Sequence, residues 1–243
     1  MIEMKYNAII FDLDGTIIDP RGKGSVEYGW AYNALRKTLE PYGINLSNKE
    51  IDKKFLQLFH SRGKLAAEEF CSEFGIKDYQ SFWKARERDA IEAKISAIDR
   101  EEIPLYPDVW VVKKLYRQYD LAIASDSQQA CVDHVVRHFG LQPYFKLWYG
   151  RGSEPEDLEK LKPNPFLLNR ILEELQLDDR KKAVLVDDSL INGSLVAERA
   201  GIDFILLCRE AKNLNSTINN LPSTIKKPTH LILSLMELEE VLV

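Results

Sequence analysis

Asp12 and Asp14 stand one residue apart, directly after the apolar run Ala8-Ile9-Ile10-Phe11 and just before Gly15-Thr16. The apolar run reads as a fully buried strand. In an extended chain, residues two apart share a side, so the two carboxylates point the same way and Leu13 points the other. Two acids at the end of a buried strand repel each other and lose hydration, and a bound cation is the natural remedy. The spacing also allows a division of labour in which one acid attacks as a nucleophile and the other handles a proton.

Three further groups follow in chain order. Leu121-Ala122-Ile123-Ala124 leads into Ser125-Asp126-Ser127, which sets the Ser125 hydroxyl at a strand end, able to donate to a phosphate oxygen. Lys160-Leu161-Lys162-Pro163-Asn164-Pro165 carries Lys162 beside two prolines that stiffen the approach to a helix, so its ammonium can serve as a fixed point charge. Ala183-Val184-Leu185-Val186 ends in Asp187-Asp188, a second carboxylate pair that is expensive without a metal.

Elements must bring these groups together. Short apolar runs at Ala8–Phe11, Leu121–Ala124, Lys146–Tyr149, Ala183–Val186, Phe204–Leu207 and His230–Leu233 read as strands. Helical patterns at Val109–Tyr119, Gln129–Phe139, Pro165–Leu175 and Gly193–Ala200 lie between most of them. Such alternation predicts an α/β protein, a Rossmann-like doubly wound parallel sheet, in which ligands bind beyond the carboxyl ends of the strands. Residues 17–103 break the rhythm, with helix signatures and no strand. Ser47-Asn48-Lys49-Glu50 reads as a capping box, Gly63 and Gly75 as helix-terminating glycines, and Asp78 as the cap of a long charged helix through Trp83 to about Ile98. This predicts a helical module inserted after the first strand.

Composition narrows the setting. The 243 residues are 45% hydrophobic and 29% charged with a net charge of −5, as in an ordinary globular protein and against a nucleic-acid or anionic-membrane surface. No apolar stretch approaches a membrane span, and the short lead into the first strand leaves no room for a signal peptide. Cys71, Cys131 and Cys208 are odd in number and widely spaced, and read as buried thiols of a reducing cytoplasm.

In this order, FDLDGT, Ser125, Lys162 in KPNP, and VDDS resemble the four motifs of the haloacid dehalogenase (HAD) superfamily of phosphotransferases, over nearly the whole chain. The likeness is to its C1-capped members of the phosphoglycolate phosphatase and β-phosphoglucomutase type. It implies a core of residues 1–16 and 104–243 and a helical C1-type cap of residues 17–103. It also implies a Mg2+-dependent phosphatase acting on a small phosphorylated metabolite, as a monomer or homodimer. Asp12 would form an aspartyl-phosphate, and Asp14 would protonate the leaving group and then activate water. Asp12, the backbone carbonyl of Asp14 and Asp188 would hold the metal, and Asp187 would be a further ligand or an acid just behind the ligands. Ser125, Asp126 and Lys162 would line the phosphate site. Two departures stand out: Asn192 occupies the place of a frequent second aspartate, and Asp126 follows Ser125 where asparagine is common. Residues 154–157 read as a solvated acidic loop. A phosphomutase shares every motif. A 2-haloacid dehalogenase would not need Asp14, and a receiver domain would carry its paired acids early and its phospho-acceptor on a middle strand. A silent binding module fits the full set of catalytic groups poorly. Arg21, Lys23, Arg62 and Lys64 are cations that could meet an anionic substrate end. Trp30, Tyr32 and Trp83 read as cap core, and Gly22 and Gly24 as hinge positions.

Overall fold

The structure is a computed structural model that describes residues 5–22, 28–209 and 225–242, the side chains of His60 and Ser61 excepted. Lys23 and Gly24 lie outside the described residues. Strands β1 (Ala8–Phe11), β2 (Asp120–Gln128), β3 (Leu147–Arg151), β4 (Ala183–Asp187), β5 (Asp203–Leu207) and β6 (His230–Ile232) form one sheet in the order β3-β2-β1-β4-β5-β6. Every pairing is parallel. The sheet reverses direction of growth at β1, which places the site where such sheets bind ligands.

Alternation along β1 explains the double layer. Ile9 and Phe11 face one buried cluster, with Val132, Val135 and Val136 of the following helix. Ala8 and Ile10 face the other, with Leu168, Ile171, Val196 and Ala197. A strand buried on both faces reads as an unbroken apolar run, which is why Ala8–Phe11 contains no polar residue.

Between β1 and β2 lie α1 (Gly29–Leu39), α2 (Asn48–Ile51), α3 (Gln57–Arg62), α4 (Lys64–Glu73) and α5 (Tyr79–Asp99), with one wide π turn at Asp52–Leu56 joining α2 to α3. Ser47 and Glu50 form the reciprocal cap that the sequence predicts, and Asp78 accepts from the Ser81 amide at 3.0 Å at the start of α5. Tyr32, Phe55, Phe59, Phe70, Phe82 and Trp83 build a separate apolar cluster here. Tyr32 and Trp83 are thus fixed in this cluster, while Trp30 packs half-buried against the sheet's own core. Helix α5 is 21 residues long, a rod of about 30 Å. Its first turns bury Phe82 and Trp83 in the helical module, and its last turns bury Ala97 and Ile98 in the sheet core.

The two crossings between the modules are stitched to each other. The Asp19 amide donates to the Pro104 carbonyl at 2.9 Å and the Tyr106 amide to the Ile17 carbonyl at 3.0 Å. Gly22 has φ +84°, and a side chain there would come within 2.6 Å of the Glu102 carbonyl oxygen. No residue but glycine meets both conditions comfortably.

Several expectations need correction. The second strand extends from Asp120 to Gln128, because Ser125-Asp126-Ser127 stays extended and pairing resumes with Gln128 opposite Arg151 after a register shift. The third strand runs Leu147–Arg151, so the predicted start at Lys146 lies just outside it. In place of a helix over Val109–Tyr119 there is a 3-10 turn at Pro107–Val111 and then α6 (Val112–Leu115), since the chain must leave the helix to pair Asp120 beside Ala8. Residues 154–157 are not a free loop. They open a 3-10 turn, Pro155–Lys160, that buries Pro155 and Leu158. Cys71 and Cys131 are buried, but Cys208 is only half-buried. Among the described residues four further helices complete the layers: α7 (Gln129–His138), α8 (Phe166–Glu174), α9 (Leu190–Ala200) and the short α10 (Leu238–Val241). No helix of the described residues is long and apolar enough to cross a membrane.

Candidate active site

Strand register brings the sequence-distant acids together. Phe11 pairs with Ile123 on one side and Val186 on the other. The residues that follow each of these three strand positions therefore emerge at one edge of the sheet. The Asp12 amide donates to the Val186 carbonyl at 2.9 Å, which locks the first acid beside the last pair. Carboxylate oxygens of Asp12, Asp187 and Asp188 all lie within 4.8 Å of one another.

Lys162 answers that charge. Its Nζ donates to Asp12 Oδ1 at 2.5 Å and to Asp187 Oδ2 at 2.7 Å. Burial opposes an ammonium here, but Asp12 and Asp187 outweigh it and hold Lys162 well above the ordinary lysine value. One cation does not balance three acids. Burial, with Asp187 and Asp188 beside it, pushes Asp12 well above the usual carboxylate range despite Lys162. Burial and Asp187 push Asp188 up to about 7. The cluster consists of hard oxygen donors with surplus negative charge, which fits Mg2+ better than a soft metal.

Asp126 has a structural post in this geometry. Its Oδ1 accepts from the Lys162 backbone amide at 3.0 Å, so it anchors the loop that delivers Lys162. Burial pushes its carboxyl up, against the pull of Lys162. Ser125 is buried at the end of the apolar part of β2, and its Oγ accepts from the Ser127 amide at 3.0 Å. Asn192 sits half-buried on α9, one turn beyond the acid pair.

Gly15 makes the tight turn after the first acid pair. It has φ +87°, and a side chain there would reach within 2.2 Å of Asp188 Oδ2. Arg209 secures the same turn from outside. Its guanidinium donates to the carbonyls of Gly15 at 3.2 Å and Thr16 at 2.7 Å, and to Asp108 at 2.9 Å.

Asp14 is held differently from Asp12. Lys94 of α5, only 1% exposed, donates to Asp14 Oδ1 at 2.5 Å. The Ser127 hydroxyl donates to Asp14 Oδ2 at 2.6 Å, and Lys94 Nζ also donates to Ser127 Oγ at 2.7 Å. Sequence reasoning missed both partners. Ser127 follows Ser125 by two residues, but the composition here reads as a turn, and only the structure shows that this stretch stays extended. Lys94 had no signal, being one of seven charged residues between Lys84 and Lys94 in α5.

A second buried charge group joins the modules. Arg151 at the end of β3 makes a two-pronged bond to Glu87 of α5, at 2.7 and 2.9 Å, and Arg86 bonds the same carboxylate. The Arg86 guanidinium lies 4.9 Å from the Phe59 ring centre and 5.3 Å from that of Trp83. The other predicted cations are largely engaged. Arg62 pairs with Glu69 at 2.6 Å, Lys64 lies 3.7 Å from Glu156, and Arg21 donates to the Tyr28 hydroxyl at 3.4 Å. A cavity of about 480 Å3 opens beside the Lys162 loop, lined by Arg62 and Lys64 on one side and Leu158, Leu161 and Pro163 on the other.

Acids and a lysine thus gather at the switch point of a parallel α/β sheet, where such folds bind ligands. Residues 9–207 match the model of the haloacid dehalogenase-like hydrolases, and the chain belongs to that family of enzymes. No curated protein sequence matches the chain. Among solved structures, the HAD-hydrolase YfnB from Bacillus subtilis, bound to magnesium, is similar at 22% identity and a TM-score of 0.63, over 98% of this chain and 99% of that one. CbbY from Rhodobacter sphaeroides, in complex with phosphate, is similar at 21% identity and a TM-score of 0.67, over 97% and 96%. A protein assigned as a phosphoglycolate phosphatase from Lactobacillus plantarum is similar at 22% identity and a TM-score of 0.64, over 98% and 100%. At these identities the likeness speaks to the fold.

Proposed function

We propose that the chain is a Mg2+-dependent phosphatase that hydrolyses a small phosphomonoester through an aspartyl-phosphate. The observation that carries this reading is the grouping of Asp12, Asp187 and Asp188 within 4.8 Å around Lys162, which leaves surplus negative charge, with Asp14 held apart by its own partners.

Asp12 is the acid closest to Lys162 and lies at the strand end, where its free oxygen can attack phosphorus in line. The P–O bond to the substrate alcohol breaks, and Asp14 supplies the proton to the departing oxygen. Asp14 then takes a proton from the water that attacks phosphorus, which releases phosphate and restores Asp12. Lys162 and the Ser125 hydroxyl stabilise charge on the transferring oxygens. Bound Mg2+, held by Asp12, Asp187, Asp188 and the backbone carbonyl of Asp14, would offset repulsion between these acids and a dianionic phosphate.

The domain division that fits this reading is a core of residues 1–16 and 104–243 with a cap of 17–103. The cap would close over the leaving group and exclude bulk water. The free thiols, two of them buried, support a cytoplasmic setting. The magnesium and phosphate named in the YfnB and CbbY structures support the same chemistry.

The test is hydrolysis of an alkyl and an aryl phosphomonoester by wild type and Asp12→Asn, with Mg2+ and with excess chelator. Wild type should turn over both with Mg2+, lose activity in chelator and regain it on Mg2+ addition, while Asp12→Asn should be inactive and folded. Full activity in chelator, or an Asp12→Asn rate within about tenfold of wild type, would remove the mechanism.

A further inference from the structure

His134 and His138 are four residues apart on α7, so their rings rise from one face of the helix. Their ring centres are 5.5 Å apart. Asp99, the last residue of α5, reaches both: its Oδ1 lies 2.8 Å from His134 Nε2 and 3.4 Å from His138 Nδ1. All three ligand atoms fall within 4.8 Å of one another. The group is separate from the acids of the proposed reaction and plays no part in it.

We propose that Asp99, His134 and His138 form a transition-metal site, of the zinc class, that ties the base of α5 to α7. Two imidazoles and one carboxylate are the donor set of many three-ligand zinc sites, with solvent in the fourth place. The spacing suits that ion. Zinc bonds of about 2.0–2.1 Å in a tetrahedron place neighbouring ligand atoms about 3.3–3.4 Å apart; His138 and Asp99 already stand at 3.4 Å, and the 2.8 Å hydrogen bond between His134 and Asp99 would open by about half an ångström to admit the ion. The side chains of His134 and His138 are 27% and 30% exposed and that of Asp99 is 52% exposed, so the ion has an entry path. Imidazole nitrogen disfavours Mg2+ and Ca2+, which separates this site from the all-oxygen cluster at the sheet edge.

The placement gives the site a mechanical meaning. Asp99 ends the helix that carries Lys94 and Glu87, and the chain re-enters the sheet core within a few residues of it. A metal bonded across α5 and α7 pins the lower end of that helix to the core.

The test titrates Zn2+ against a chromogenic chelator, with Mg2+ in excess to keep the acidic cluster out of the count. Wild type, the double variant His134→Gln/His138→Gln, and Asp99→Asn are compared. Wild type should take up one Zn2+ more than the double variant. Asp99→Asn should bind that ion at least about a hundredfold more weakly, beyond the 10–100-fold cost of losing an outer partner of a metal ligand. Zn2+ should raise the Tm of wild type and leave that of the double variant unmoved. The side chains are partly exposed, so the metal-free Tm of each variant should stay near that of wild type. Equal Zn2+ stoichiometry and affinity in wild type and double variant would overturn the site. Wild-type affinity in Asp99→Asn would leave the ion on α7 alone and overturn the bridge.

Discussion

Two buried lysines each grip one of the first two aspartates, and they come from opposite halves of the molecule. Lys162 belongs to the sheet module and holds Asp12 together with Asp187. Lys94 belongs to the inserted helices and holds Asp14 together with Ser127. The first contact joins groups carried by one packed sheet and its loop, so nothing needs to move for it to form. The second crosses between modules, so it exists only when α5 lies against the sheet edge. The difference teaches that the surroundings of Asp12, the proposed nucleophile, are built into the sheet, while those of Asp14, the proposed proton-handling acid, depend on where the inserted helices stand.

Lys162→Ala should have the largest effect on this comparison. It leaves three clustered carboxylates without their cation, and breaking a buried pair costs about 3–5 kcal/mol of stability. Loss of its electrostatic stabilisation should lower kcat by about 10²–10³-fold, equally for every phosphomonoester. A loss confined to some substrates would place Lys162 in recognition instead.

Lys94→Ala should come next and should discriminate. It removes one anchor of Asp14, and misplacing such a group can cost up to about 10²-fold. Alkyl phosphates, whose leaving oxygen needs a proton, should suffer most, and aryl phosphates least. Equal losses for both would mean that Lys94 does not act through Asp14.

Glu87→Gln should have the smallest effect on activity and a clear effect on stability. Burial pushes the Glu87 carboxyl up, but Arg86 and Arg151 outweigh it and hold it below the usual range. A depressed folded-state value means the stabilisation is fully present above the unfolded carboxyl value of about 4.3. It is lost as pH falls through the lower folded value. The stability gap between wild type and Glu87→Gln should therefore be widest near neutrality and shrink on acidification below about pH 4. Denaturant unfolding across that range measures it. A gap that stays constant would show that Glu87 is not ion-paired.

Much of the sheet was legible because its physics is local and repeated. Buried parallel strands need continuous apolar runs, and each functional group follows such a run: Asp12 after Phe11, Ser125 after Ala124, Asp187 at the end of Ala183–Val186. The helices of the insertion were legible through their ends, Ser47 with Glu50 and Asp78, since capping is decided within a few residues. Less legible was where polar strands stop. Ser125-Asp126-Ser127 looks like a turn in composition, yet pairing resumes at Gln128 and Arg151.

What the sequence determined by itself was the order of elements, the two faces of the strands, and the acids, hydroxyl and lysine at their ends. What only the tertiary structure decided was which charged residues of α5 leave solvent. Glu87 and Lys94 are seven residues apart, so they share the face that meets the sheet, but Arg88, Asp89 and Glu92 beside them are equally charged. Asp89 is buried too, against Thr38 and Lys37 of α1 on another face. A charged side chain carries no mark of its partner in its own type. It becomes buried where packing brings the opposite charge from a distant segment, and that pairing exists only once the helix lies across the sheet.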